Sequence, residues 1–178
     1  KIADDAVTMA KIANDAVGAN QIANNADFNI NGVNVGKGAN SVSGNTVLGE
    51  NALDASVSGG DNTAIGNKAL TTCTSGGENT AVGYKALMNN TTGACNTAVG
   101  YAAGLTAPNG LLTAVGYKAL TSATATTYST AVGVHALCSQ TTAVSNTAIG
   151  WSAGCCVTTG SCNNIIGTEL LGYSKSPI

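Results

Sequence analysis

The chain has 178 residues, of which 44% are hydrophobic and only 9% charged, with a net charge near −2, one Phe and one Trp. Large side chains are too scarce for an ordinary globular core, and the charge balance favours neither nucleic acid nor an anionic membrane as partner. No run reaches the roughly 18 apolar residues of a membrane span, so none is expected; the chain begins at Lys1 rather than Met, so the lack of a targeting signal carries no weight.

The first element is a decad repeat. Lys1-Ile-Ala-Asp-Asp-Ala-Val7, Lys11-Ile-Ala-Asn-Asp-Ala-Val17 and Gln21-Ile-Ala-Asn-Asn-Ala-Asp27 recur every ten residues. Ten residues in three turns is about 3.3 per turn, too overwound for a continuous coiled coil. Asn/Asp pairs at fixed phase read as turns. The spacing predicts a thin β-stem over residues 1–27, then a junction over 28–44.

From residue 45 to 171 a longer period takes over, and 172–178 form a tail. Glycines fall at Gly49, Gly66, Gly83, Gly100, Gly116, Gly133, Gly150 and Gly167, spaced by 17 residues except for one step of 16, from Gly100 to Gly116. A fixed period of this size marks a solenoid that grows by adding rungs. Counting Gly36 as an imperfect first level gives a rod ~40 Å long at the spacing of adjacent strands.

Ahead of four of these eight glycines stands Asn-Thr-Ala-Val/Ile, as in Asn79-Thr80-Ala81-Val82, and close variants precede the others. Thr and β-branched aliphatics predict a short strand. Alternation puts Thr and Val on one face, and Asn, Ala and Gly on the other. The larger Val/Ile face is expected to fill the rung's interior, and the Ala/Gly face to meet another backbone at a symmetry axis. After the glycine, Ala-Leu recurs (Ala69-Leu70, Ala86-Leu87) and a second Gly-rich segment follows (Gly76, Gly93). Each rung therefore reads as two short strands with a polar turn. Like residues stacked rung on rung predict an Asn amide ladder and a Thr hydroxyl ladder. An outward Thr array, as in ice-binding solenoids, is the weaker reading, because Val in every rung is more simply core.

Asn62-Thr-Ala-Ile-Gly-Asn-Lys-Ala-Leu70, Asn79-Thr-Ala-Val-Gly-Tyr-Lys-Ala-Leu87 and Met88-Asn-Asn-Thr-Thr-Gly93 resemble the head repeats of trimeric autotransporter adhesins, and still more those of bacteriophage tail fibres. The resemblance covers about residues 45–171. It implies an all-β, left-handed parallel β-roll that is an obligate homotrimer, located in the virion. Its partners would be other fibre or tail components and a host-surface glycan or protein. The decads are likewise similar to tail-fibre stems. A bacterial trimeric adhesin head on the cell surface is the alternative, to be decided by an outer-membrane anchor. A hexapeptide acyltransferase needs an aliphatic residue every six positions, which a once-per-17 Val/Ile-Gly does not supply.

No catalytic constellation is present. One histidine, His135, offers no pair for zinc or a triad. It occupies the phase of Lys68, Lys85 and Lys118, read as a solvated stripe. The glycine-rich turns lack the Lys-Ser/Thr of a phosphate loop. No enzyme activity, cofactor or metal is therefore expected. Cys73, Cys95, Cys138, Cys155, Cys156 and Cys162 lack a zinc spacing. They read as small buried hydrophobes, with pairing around Cys155, Cys156 and Cys162 or between chains as the alternative. Cys138 and Cys155 share a phase and are expected to stack. The best candidate contact surface is the stripe just after the glycine: Tyr84, Tyr101, Tyr117 and Trp151. Stacked aromatics support a β-stack; amphipathic rings also suit a carbohydrate platform. The loops Thr121–Tyr128 and Thr141–Ser145 depart from the Gly pattern and are further candidates.

Overall fold

The computed structural model describes residues 27–55, 57–107 and 109–168, so the decad repeat lies outside the described residues except for Asp27. The described strands form one sheet whose spatial order follows the chain. β1 (Phe28–Ile30) and β2 (Val33–Gly36) pair antiparallel. Asn31 and Gly32 join them, both with positive φ (51° and 87°). That is the two-residue turn whose twist suits a hairpin. β2 then lies antiparallel on β3 (Thr46–Gly49), with Gly36 opposite Val47. Gly36 is thus part of a capping hairpin and not a first rung. Asp27 fixes the far end of the hairpin, its carboxylate accepting the Lys37 and Gly38 amides at 2.7 and 2.8 Å.

From β3 onward every pairing is parallel. β4 (Thr63–Ile65), β5 (Thr80–Val82), β6 (Thr97–Val99), β7 (Thr113–Val115), β8 (Thr130–Val132), β9 (Thr147–Ile149) and β10 (Asn164–Ile166) follow one per turn. Thr pairs with Thr and Ala with Ala from β4 to β9. The chain is an all-β solenoid with rungs of about 17 residues. The 16-residue rung is one residue short between Ala107 and Leu111, whose amide bonds Ala94 O as that of Cys95 bonds Gly77 O, and Thr97 still meets Thr113.

The faces are the reverse of those expected. Ala64, Ala81, Ala98, Ala114, Ala131 and Ala148 point inward and are fully buried. Val and Ile point out with the threonines: Val99 is 37% exposed and Ile149 42%. In the middle rungs, where Leu fills the interior, the inward strand residue is Ala; the first rung seats Val47 beside Leu53. Leu53, Leu70, Leu87, Leu120 and Leu137 are fully buried beside the alanines.

The second half of the rung is not a strand. Ala69 and Leu70 are consecutive and both buried in the single interior of the coil, whereas a strand would send them to opposite faces. The chain instead turns through left-handed residues: Lys68 (φ 60°) and Leu70 (φ 51°), then Lys85 (57°) and Leu87 (50°). Its amides still bond between rungs, Leu70 N to Ala86 O at 3.0 Å and Lys85 N to Asn67 O at 3.0 Å. A left-handed L-residue costs roughly 1–2 kcal/mol. Full burial of a Leu returns about 1.5–3 kcal/mol, so the conformation is affordable where the side chain is Leu.

The Asn ladder is present. Asn62 Oδ1 accepts the backbone and side-chain amides of Asn79, both at 3.0 Å, and Asn79 Oδ1 accepts those of Asn96 at 3.0 and 2.9 Å. The Asn62 and Asn79 Nδ2 groups also donate to turn carbonyls, Asn62 to Gly76 O and Asn79 to Gly93 O, both at 2.9 Å. The strand threonines, by contrast, make no hydroxyl ladder: among the described residues their side chains bond to nothing in the chain. Those hydroxyls share the outward face with Val and Ile.

Candidate functional site

Each strand leaves the sheet through its repeat glycine, and the next side chain is thrown outward at a corner. The glycine is required there. Gly66 has φ +125°, and a Cβ on it would lie 2.7 Å from the carbonyl oxygen of Gly83. With rungs this close, the corner side chains Tyr84, Tyr101 and Tyr117 come face to face. Tyr84 and Tyr101 stack at 5.2 Å between centroids (interplanar 27°), and Tyr101 and Tyr117 at 5.0 Å (17°). His135 adds a tilted ring 5.3 Å from Tyr117. The adjacent column carries Lys68, Lys85 and Lys118; Lys85 Nζ sits 5.0 Å above the Tyr84 ring and Lys118 Nζ 5.3 Å above that of Tyr117.

Three of the four expected contact residues therefore form one ridge. Its geometry limits the chemistry. Both faces of Tyr101 are covered by neighbouring rings, so a sugar cannot lie flat on it; edges and phenol groups face solvent, with Tyr101 42% exposed. Trp151 stands apart. Val134 interrupts the column before it, and Trp151 is 52% exposed with no ring contact among the described residues. The lysines form no ion pair among the described residues. Glu50, at the N-terminal end of the corner column, is bound to Asn67 Nδ2 at 2.7 Å. In sequence the aromatics group by phase and the lysines stand as a separate solvated stripe; the fixed adjacency Tyr84-Lys85 and Tyr117-Lys118 is the signal that joins them.

The irregular loops are built around substitutions in the Asn ladder. Ser129 stands where the ladder has Asn, and Gln140 replaces the missing amide. Its Nε2 donates to Ser129 Oγ at 2.9 Å and to Ala143 O at 3.1 Å, and its Oε1 accepts Asn146 Nδ2 at 2.8 Å. Thr126 is buried with an unpartnered hydroxyl, while Tyr128 is exposed.

The cysteines differ from the expectation of buried hydrophobes. Only Cys73 is buried, and burial pushes its thiol pKa up. Cys95 is exposed; its hydrogen bond to Glu78 Oε2 (3.1 Å) pushes its pKa up, and desolvation and the Glu78 charge act in the same direction. Cys156 and Cys162 are exposed, and the thiols of Cys155 and Cys156 lie 3.8 Å apart. Among the described residues no cluster of three His, Cys, Asp or Glu is placed to hold a metal ion, and no helix is long and apolar enough to cross a membrane. No protein-family model matches the chain, and comparisons with curated proteins and with solved structures find no match.

Proposed function

We propose that this chain is a structural segment of a phage tail fibre, a left-handed roll assembling as a homotrimer, which serves in the virion as a spacer or host-attachment element. The observation that carries the reading is the outward Thr/Val face. Its two columns, Thr63 to Thr147 and Ile65 to Ile149, contain no charged residue and run the length of the parallel stack. An apolar stripe of this extent is a surface for association. A partner must repeat at the same inter-rung spacing to fit it along its length, and a second copy of this chain does so. Three copies around a closed axis would hide the stripe of each. The axis then lies against Thr and Val, not against the Ala/Gly face expected from side-chain size.

The resemblance of Asn79–Leu87 and Met88–Gly93 to tail-fibre repeats supports the same reading. Sedimentation equilibrium tests it. A mass of three chains is expected, and a folded, stable monomer at micromolar concentration would remove the reading.

A further inference from the structure

The Tyr/Lys ridge has a chemistry distinct from the apolar face. Lys68, Lys85 and Lys118 are three of the four lysines among the described residues, and all three fall in one column with His135. Their ammonium groups recur at intervals of one and two rungs, ~5 and ~10 Å. Among the described residues none of the three is ion-paired; Glu50, the one acidic residue of the corner column, is held by Asn67 Nδ2 at 2.7 Å and keeps its charge at the Lys68 end, so the positive stretch runs from Lys85 onward. Beside them run three phenol groups; stacking closes both faces of the central Tyr101 ring and one face each of Tyr84 and Tyr117. The ridge therefore offers hydrogen-bond donors and positive charge in a line, and no row of open ring faces.

We infer that this ridge is a docking strip for a linear acidic polysaccharide laid along the rod axis. The inference rests on the host-attachment part of the reading above and names its ligand class. A neutral glycan would want the open ring faces that stacking has removed. A chain bearing carboxylate or sulfate groups at regular intervals would meet the lysines and accept from the phenols. Each exposed ion pair alone is weak. Several engaged on one polymer act together, because the first contact raises the effective concentration of the next.

The test is retention of the whole protein on immobilised polygalacturonate, dextran sulfate and uncharged dextran. At low salt, retention on at least one acid polymer and none on dextran is expected, with the retaining polymer identifying the acid group. Elution should follow as salt shortens the Debye length from about 10 Å towards 3 Å. The K68Q/K85Q/K118Q variant should bind at least about tenfold more weakly. The K68R/K85R/K118R variant keeps the charge and should bind like the parent, which separates loss of charge from loss of fold. Equal retention on dextran, unchanged binding by the Gln variant, or no retention on either acid polymer would overturn the inference. A trimer that ignores both acid polymers leaves the fibre reading standing; a monomer that binds them leaves only the ligand class.

Discussion

Single residues in this molecule are judged by what their neighbours in the next rung do. Gly104 and Gly154 stand where other rungs place Leu. A Cβ on Gly104 would lie 3.0 Å from Leu87 Cδ2 and 3.5 Å from Leu112 Cδ1, and one on Gly154 would lie 3.0 Å from Ile165 Cδ1. The volume lost at one phase is thus returned at another: Leu112 replaces the ladder Asn, and Ile165 the strand Ala. Thr126 has no such compensation. Its buried hydroxyl lacks a partner, which costs roughly 1–3 kcal/mol. Thr126→Val keeps the shape and removes that group, so it should leave stability unchanged or raise it by about 1 kcal/mol, read from urea denaturation. Cys73 carries a pH dependence of definite sign. Its thiol pKa is raised by burial above the ordinary 9.0. Above that pH the unfolded chain loses a proton that the folded chain keeps, so stability should fall as pH rises past 9. Cys73→Ala should flatten that limb in denaturation measured between pH 8 and 10. An unchanged slope would show that the thiol is not shielded.

At the scale of the element, the sequence made the strand legible and its orientation illegible. Asn-Thr-Ala-Val-Gly defined length, position and parallel register, and Asn at fixed phase announced the amide ladder, because identical side chains at fixed spacing leave few other arrangements. Inside and outside could not be read, because both faces carry apolar groups and size alone favoured Val for the core. The deciding fact was in the other half of the rung. Ala86-Leu87, two apolar residues in succession, cannot both enter a single interior from a strand; in the middle rungs the turn that buries both faces an inward Ala methyl. The hairpin of β1 and β2 was also available from Asn31-Gly32 between alternating apolar residues. The Tyr ridge was read as a column, but the covering of its ring faces follows from corner geometry that no residue type announces. The reversed faces give opposed outcomes for neighbouring substitutions. Ala81→Leu overpacks a filled interior and should cost about 1–3 kcal/mol or more in the protomer. Val82→Asp places a charge on the outward face, so the protomer should keep its β circular dichroism while association is lost in sedimentation. A Val82→Asp chain that associates like the parent would show that this face lies outside the interface.

The whole molecule is a one-dimensional stack, and its tolerance of length change should follow the rung as its unit. Most contacts join neighbouring rungs, so stability approximates a sum of rung terms and nearest-neighbour interfaces. The 16-residue rung shows that one residue can be dropped between Ala107 and Leu111 without moving the strands out of register. Deletion of residues 84–100 removes one complete turn and joins Gly83 to Tyr101. Every column then meets an equivalent partner. Thr80–Val82 can pair with Thr113–Val115, Asn79 Oδ1 can take the Leu112 amide that Asn96 accepts at 3.2 Å, and Leu70 can fill the space over Gly104 that Leu87 now occupies. The shortened chain should fold cooperatively, with its rod shorter by ~4.8 Å, and retain its β circular dichroism. Deletion of residues 84–92 joins Gly83 to Gly93 instead and removes the corner, the buried Ala86-Leu87 pair and the Asn90 turn while keeping the following strand. That strand would have to stack without the half-rung that carries it across the coil, and a large loss of melting temperature is expected. If the two deletions proved equally damaging, the molecule would be a single cooperative globule, and rung-by-rung additivity would be the wrong description of it.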